Sequence, residues 1–185
     1  IDYETTQLGN ARFLTSEEFA DVSRRSAIAD TIAKIVGCEG PVHEEAARLA
    51  VMDHYNISRM GNRIRPAYDA ALATAKRQHG VRVIDRVFFT MDGNSEAVRV
   101  AAEDDERMRK ITHIPPTEQR AAITQLVGDS IRIDRGELLQ RFSRLFGFRR
   151  AGADIQRSFE HQLDELLDSV VLDEAEGTVS LSANR

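Results

Sequence analysis

The chain has 185 residues, of which 42% are hydrophobic and 30% charged, and its formal net charge is −5 at pH 7. This length accommodates one large domain or two small ones, and the acidic balance argues against a protein that coats nucleic acid with its whole surface. No apolar run approaches the roughly 20 residues that a membrane span needs. No signal peptide is visible, and the single Cys38 cannot form an internal disulfide, so we predict a cytoplasmic protein. Because the chain begins at Ile1 without Met, we expect a fragment or a processed product.

Residues before about 22 are predicted to form an extra helix or arm. Thr15 or Ser16 is a suitable N-cap because two glutamates follow it. Phe13, Phe19 and Val22 are expected to pack inward.

Two short stretches, ISRMGNRIR at 57–65 and FRRAGADIQ at 148–156, follow one pattern at a constant offset of 91 residues. At this offset the match continues without a gap from 32 to 72, and nearly all paired positions are apolar or glycine. This is typical of two copies of one core with diverged surfaces, so we predict a tandem repeat. Chance similarity between two amphipathic helices is the alternative.

The first copy shows a helix over about 27–36, a short strand at Pro41-Val42, and a second helix from Glu44 to about His54. A third helix is predicted over 62–78. A hairpin follows from Val81, with Val83 and Phe88 or Phe89 buried. The far strand of that hairpin is alternatively Ala97–Val100, after the turn-forming Asp92-Gly93-Asn94.

The second copy repeats this order. Pro115-Pro116 opens a helix, since proline is tolerated in a first turn, and Gly128 is expected to end it. The alternating residues at 131–133 predict a strand, and Asp134 is a good N-cap for the next helix, as is His43 at the matching place. Gly147 ends that helix, a third helix follows Gly152, and a final hairpin turns at Glu176-Gly177.

Helix, strand, helix, turn, helix and hairpin is the order of a winged helix, whose third helix is the recognition element. We therefore predict a mainly α fold with small β-hairpins (α+β), arranged as two tandem winged helix-turn-helix domains. The predicted divisions are an N-terminal arm over 1–22, domain 1 over 23–100, a charged linker over 101–113 and domain 2 over 114–185. In the quoted turns, Ile57 and Phe148 should fill the core, and Gly61 and Gly152 should allow close helix approach or positive φ.

Four stretches of the sequence resemble a known family: EGPVHEEAARLA, SRMGNRIRPAYDAALATA, HIPPTEQRAAITQLV and LFGFRRAGADIQ. The family is a domain of unknown function near the C-terminus of large bacterial proteins related to superfamily I DNA helicases. Those proteins often also carry a nuclease domain resembling very-short-patch repair enzymes. The resemblance covers roughly 28–170 and implies an accessory module of a DNA-processing ATPase. It brings no functional residues, and the chain itself lacks the G-x-x-x-x-G-K-[ST] loop of such motors.

The sequence evidence for catalytic groups is weak. The sequence from His43 to Glu45 hints at a zinc protease, but such a motif needs a second histidine where Ala47 stands. Cys38 has no second cysteine near it. The acidic run Glu103–Glu106 is followed at once by basic residues, which is typical of a solvated linker helix. We predict no catalysis, no metal site and no cofactor in this chain.

The basic residues are concentrated in the first copy, where eight bases and three acids lie between Arg48 and Arg86. Residues from 91 onward hold 18 acids and 13 bases. Phosphate contacts from exposed cations supply duplex affinity, although Asp69 interrupts the pattern and an ordinary charged surface is the alternative. The candidate DNA contacts are Arg59, Arg63, Arg65, Lys76, Arg77, Arg82, Arg86, Arg149 and Arg150.

These patterns favour a non-catalytic DNA-binding module of a larger helicase- or nuclease-type protein. Its first copy would hold the backbone of duplex or fork DNA. The second copy, with an acidic third helix and hairpin, would be structural or would contact the rest of the parent polypeptide or a second copy of itself. The alternative is a protein-interaction or dimerisation module without nucleic-acid binding. No membrane partner is expected.

Overall fold

A computed structural model describes residues 1–9, 13–91, 97–100 and 109–183. The chain divides into two compact units. We call Glu4–Asn94 the first unit, and Ile1–Tyr3 together with Ser95–Arg185 the second unit. The fold is mixed α/β, and each unit holds one small antiparallel sheet.

The first unit has four helices and three strands among its described residues. In chain order they are α1 (Ser16–Ala20), α2 (Arg25–Glu39), β1 (Val42–His43), α3 (Glu44–His54), α4 (Ile64–Gln78), β2 (Arg82–Ile84) and β3 (Phe88–Thr90). A 3-10 turn over Val22–Arg24 leads into α2. The sheet order is β1-β3-β2, with Val42 opposite Phe89 and Val83 also opposite Phe89. The far strand of the hairpin is therefore Phe88–Thr90 and not Ala97–Val100.

The second unit follows the same order from its first long helix onward. Its elements are α5 (Pro116–Ser130), β4 (Arg132–Asp134), α6 (Arg135–Leu145), α7 (Ala153–Asp168), β5 (Leu172–Ala175) and β6 (Thr178–Leu181). The sheet order is β4-β6-β5, with Ile133 opposite Val179 and Leu172 opposite Leu181. In both units the strand that follows the first long helix pairs with the last strand of the hairpin.

Each unit has its own apolar core. In the first unit α2, α3 and α4 enclose Ile32, Val51 and Ala71, and Phe19 of α1 meets Tyr55 edge to face with ring centroids 5.5 Å apart. In the second unit Phe142 packs between Phe146 and Phe159, at centroid distances of 5.1 and 5.3 Å, and Leu138 and Leu163 complete the centre. Among the described residues, no helix combines the length and the apolar character that crossing a membrane requires.

The helix starts follow their capping residues. The Nδ1 atom of His43 accepts from the Glu45 amide at 3.1 Å, and Asp134 accepts from the amides of Gly136 and Glu137 at 2.8 and 3.0 Å. Both N-cap predictions are confirmed. Thr15 forms a capping box with Glu18 at the start of α1, as the sequence indicated.

Several local predictions are wrong. Gly128 does not end α5, which continues to Ser130 and stops where Ile131 adopts φ 61°. Gly61 and Gly152 have neither positive φ nor a close neighbour, so neither predicted role applies. The left-handed position of the turn lies earlier instead, at Asn56 and Gly147, with φ 54° and 83°.

The N-terminal residues differ from the predicted arm in two ways. Phe19 is fully buried, but Phe13 is 75% exposed and Val22 is 70% exposed, so these two do not pack inward. Ile1–Tyr3 runs parallel to 98–100, and the Tyr3 amide donates to the Val100 carbonyl at 2.7 Å. The first three residues therefore belong to the second unit.

The predicted linker lies partly outside the described residues, and the acidic run Glu103–Glu106 lies wholly outside them. Its last residues are packed rather than solvated, since Ile111 and His113 form a buried 3-10 turn. Arg109 and Arg99 both donate to the carboxylate of Glu118, whose side chain is 1% exposed. This buried cluster fastens the segments around 99 and 109 to the start of α5.

Candidate nucleic-acid interface

Helix α4 carries three of the predicted DNA contacts, and a fourth, Arg63, is its N-cap residue. Its inward side is formed by residues that recur at helical spacing, which are Ile64, Tyr68, Ala71 and Ala75. Lys76 and Arg77 lie in its last turn, where the negative end of the helix dipole favours cations. The helix is thus held by its apolar stripe and presents its charged residues at the surface.

The cations of α4 lie on two flanks. At about 100° per residue, Arg65 and Lys76 differ by only about 20° around the axis and by about 16 Å along it. The same geometry places Arg63 and Arg77 on the opposite flank. The exposed line between the flanks includes Ala73, a small side chain that permits close approach of another molecule to the helix.

The side chains of α4 have different surroundings. Arg63 pairs with the exposed carboxylate of Glu17 at 3.0 Å, so its charge is partly compensated. Arg77 donates to the Thr74 hydroxyl at 3.4 Å. The Lys76 ammonium lies 5.9 Å from the centroid of the Phe89 ring. All three cations are exposed at the surface of the first unit.

The other candidates lie outside the helix. Arg59 is exposed in the turn before α4, Arg82 is exposed on β2, and Arg86 is exposed at the hairpin turn with φ 68°. Arg149 and Arg150 are exposed in the turn before α7 of the second unit. The first unit therefore presents basic side chains on two flanks of α4, on the preceding turn and on the hairpin.

A cavity of about 130 Å³ opens on the Arg65 flank of α4. Its walls come from α3, from α4, from Met60 in the turn and from Phe89 on β3. The polar residues that line it are Glu44, Glu45, Arg48, Arg65, Tyr68 and Asp69. The apolar ones are Met60, Leu72 and Phe89.

Two polar atoms at this cavity are buried without compensation. The hydroxyl of Tyr68 and the Nε atom of Arg48 have no hydrogen-bond partner among the described residues. Tyr68 is 5% exposed, and its burial raises the pKa of the phenol above the ordinary value, with the nearby carboxylates of Asp69 and Glu44 adding to the rise and Arg48 opposing it. A buried polar group without a partner costs free energy and calls for an explanation.

Sequence reasoning missed this cavity, although one signal was present. At the offset of 91 residues, Tyr68 matches Phe159 and Arg48 matches Leu139. Both second-unit residues are apolar; Phe159 belongs to the core of that unit, and Leu139 is partly buried and packs against it. Polar atoms at two positions where the second unit has hydrocarbon are not required by packing alone.

The third helix of the second unit has the opposite charge. Exposed acids on α7 are Asp154, Asp164, Glu165 and Asp168. Arg135 at the start of α6 contacts the carboxylates of Glu160 and Asp164 on α7 and of Glu174 on β5. Side-chain hydrogen bonding to Glu160 raises the pKa of Arg135, so this cation is held within the unit.

Comparison with known proteins gives one family. A family described as "Protein of unknown function (DUF3320)" matches residues 17–66, which extend from α1 to the first turn of α4. No curated protein and no solved structure matches the chain. The chain is thus similar to a family whose description assigns no activity, and the similarity lies within the first unit.

Proposed function

We propose that the chain is a pair of winged helices and that the first unit binds the backbone of duplex or fork DNA. In this proposal the chain is a non-catalytic accessory module of a larger helicase- or nuclease-type protein. The family resemblance of the sequence supports that setting, and the DUF3320 similarity is compatible with it.

The element order and the sheets support the winged-helix assignment. Helix, strand, helix, helix and hairpin occur in each unit, and the first strand of each pairs with the last strand of the hairpin. The long helices α2 and α5 begin at Arg25 and Pro116, which are separated by the same 91 residues as the sequence repeat. A winged helix places its third helix in the major groove. In the first unit α4 is the third helix counted from α2.

The surface of α4 is the observation that supports the proposal of DNA binding. Cations lie on both flanks of α4, and the exposed line between the flanks includes the small side chain of Ala73. Phosphates on either side of a groove would therefore each meet a basic side chain. Arg82 and Arg86 on the hairpin would add contacts as a wing does. The outer line lacks a rich set of side chains suited to base edges, so we propose backbone contacts rather than sequence-specific readout.

The test is a fluorescence-anisotropy titration of a labelled duplex at about 50 and about 200 mM salt, where four phosphate contacts give a log–log slope of about −3 to −4. The wild-type chain is compared with a variant in which Arg59, Arg65, Lys76 and Arg77 are all alanine. We expect that variant to lose binding at both salt concentrations.

A matched control removes four exposed cations from the second unit, at Arg132, Arg141, Arg144 and Arg157. It changes the net charge by the same amount and should retain the wild-type affinity. Equal losses in the two variants would indicate a general charge effect, and absence of duplex binding by the wild-type chain would refute the proposal.

A specific observation favours protein contact for the second unit. Ile131 and Val170 are β-branched, 82% and 59% exposed, and held at φ 61° and 56°. Such φ values are outliers for β-branched residues. Leu181, at the same end of the sheet, is also exposed. We propose that this end contacts a second copy of the chain; size-exclusion chromatography with light scattering should show a dimer that Ile131→Asn weakens, and a monomeric wild-type chain would contradict it.

A further inference from the structure

The cavity beside α4 differs from the matching place in the second unit at four positions. There Phe159 is part of the core, Leu139 is partly buried against it, and Arg135 contacts Glu160. The residues 91 positions earlier are Arg48, Tyr68, Glu44 and Asp69. The first unit thus replaces two apolar side chains by hydrogen-bond donors and an ion pair by two carboxylates.

These four groups define what would satisfy them. The Nε–H of Arg48 and the hydroxyl of Tyr68 are buried donors without a partner among the described residues, and they require acceptors. The carboxylates of Glu44 and Asp69 accept only, and in the part of the chain that the structure describes neither is joined to a cation by an ion pair. A complementary ligand therefore presents acceptors and a donor side by side.

The size of the cavity limits the ligand. Its volume is about 130 Å³, close to the roughly 150 Å³ of an engineered cavity that takes up benzene. This volume is enough for one six-membered ring, and Met60, Leu72 and Phe89 supply apolar walls. The exposed cations Arg65 and Lys76 lie on the same flank of α4 and would attract an anionic chain attached to that ring.

We infer that the cavity binds an unpaired cytosine base. Its O2 and N3 atoms would accept from Arg48 and Tyr68, and its N4 amine would donate to Glu44 or Asp69, as acidic side chains do for this base. Thymine carries an oxygen in place of that amine, which the carboxylates would repel. The base must be unpaired because pairing occupies these atoms, so the site would hold a single strand beside a duplex.

This inference rests on the proposed nucleic-acid function. The test titrates the full chain with a labelled oligodeoxycytidine, an oligothymidine of equal length and the duplex. We expect the cytidine strand to bind at least about fivefold more tightly than the thymidine strand, the lower end of what one matched base contact contributes. Free dCMP is then added as a competitor of the labelled oligodeoxycytidine. This competition distinguishes a cytosine carried by a strand from a free nucleotide as the natural ligand.

The variants Tyr68→Phe and Arg48→Leu install the residues of the second unit. Each should abolish the preference for cytidine, leave the thermal midpoint unchanged or raised, and leave duplex affinity within about threefold, the effect expected from losing no more than one phosphate contact. Arg141→Leu, which removes one exposed cation elsewhere, should keep the preference. Equal binding of the two strands by the wild-type chain would overturn the cytosine site even if the duplex binds. Cytidine preference without duplex binding would support the site and refute the duplex proposal.

Discussion

The carboxylate of Glu118 is the counter-charge of two buried guanidinium groups, and its removal should strongly destabilise the second unit. The Nη2 atom of Arg99 lies 2.5 Å from Glu118 Oε2, and the Nη1 atom of Arg109 lies 3.1 Å from Oε1. Burial lowers the pKa of Arg109, and the charge of Glu118 opposes that shift. Tyr3 covers the cluster, with its ring centroid 4.3 Å from the Arg109 guanidinium carbon.

The proposed change is Glu118→Gln, which keeps the size of the side chain and removes its charge. Removing one partner of a buried ion pair lowers the free energy of unfolding by about 3–5 kcal/mol, because a charge remains buried without compensation. Two cations share this carboxylate, so we expect the upper part of that range for the free energy of unfolding. For a unit of this size the thermal midpoint would fall by at least about 16 °C.

The assay must resolve the two units, because a chain with two domains need not unfold in one step. Hydrogen–deuterium exchange read on peptides from α5 and from α2 reports each unit separately. Protection should fall in α5 and stay unchanged in α2. The control Glu137→Gln removes an exposed pair with Arg141, which contributes about 0.5 kcal/mol or less. A loss below about 1 kcal/mol for Glu118→Gln would refute the claim that the cluster is desolvated.

Three further predictions concern single side chains. Phe19→Ala should cost about 3–5 kcal/mol in urea unfolding because it empties a fully buried site, whereas Phe13→Ala should stay within about 0.5 kcal/mol; equal effects would contradict the burial of Phe19. Asp134→Ala should cost about 1 kcal/mol through loss of the cap of α6, measured in the same way, and Asn at this position should restore it. Burial raises the pKa of Tyr68, so the folded chain keeps a proton that the unfolded chain releases. Stability should therefore be complete below about pH 10 and fall above it, a fall that Tyr68→Phe should reduce.

Features encoded by neighbouring residues could be predicted from the sequence. The bounds Glu44–His54 of α3 were predicted because His43 is a cap and the turn after the helix follows directly. The cap at Asp134 and the final hairpin at Glu176-Gly177 are also local, and the pairing of Ala175 with Thr178 agrees with a two-residue turn. Local hydrogen bonds and turn geometry determine these features, so no knowledge of distant contacts is needed.

Features that depend on distant residues could not be predicted. Nothing near Tyr3 indicates that it pairs with the segment around Val100, and the exposure of Phe13 depends on which surfaces α1 leaves uncovered. Gly128 was expected to end α5, but glycine inside a helix costs only about 1 kcal/mol, and packing can supply more than that. The cavity at Tyr68 was missed because a tyrosine at helical spacing is typical of an ordinary core residue. Only the structure shows that its hydroxyl lacks a hydrogen-bond partner among the described residues.

The two units together indicate which features the packing requires and which it leaves free. Phe159 is fully buried where Tyr68 carries its hydroxyl, so the packing at this place does not need a polar atom. The flank of α4 holds Arg65 and Lys76, whereas exposed acids dominate α7, so a polyanion that is attracted to the first unit would be repelled by the matching helix of the second. The proposed binding of an anionic ligand therefore belongs to the first unit, and the proposed contact with protein belongs to the second.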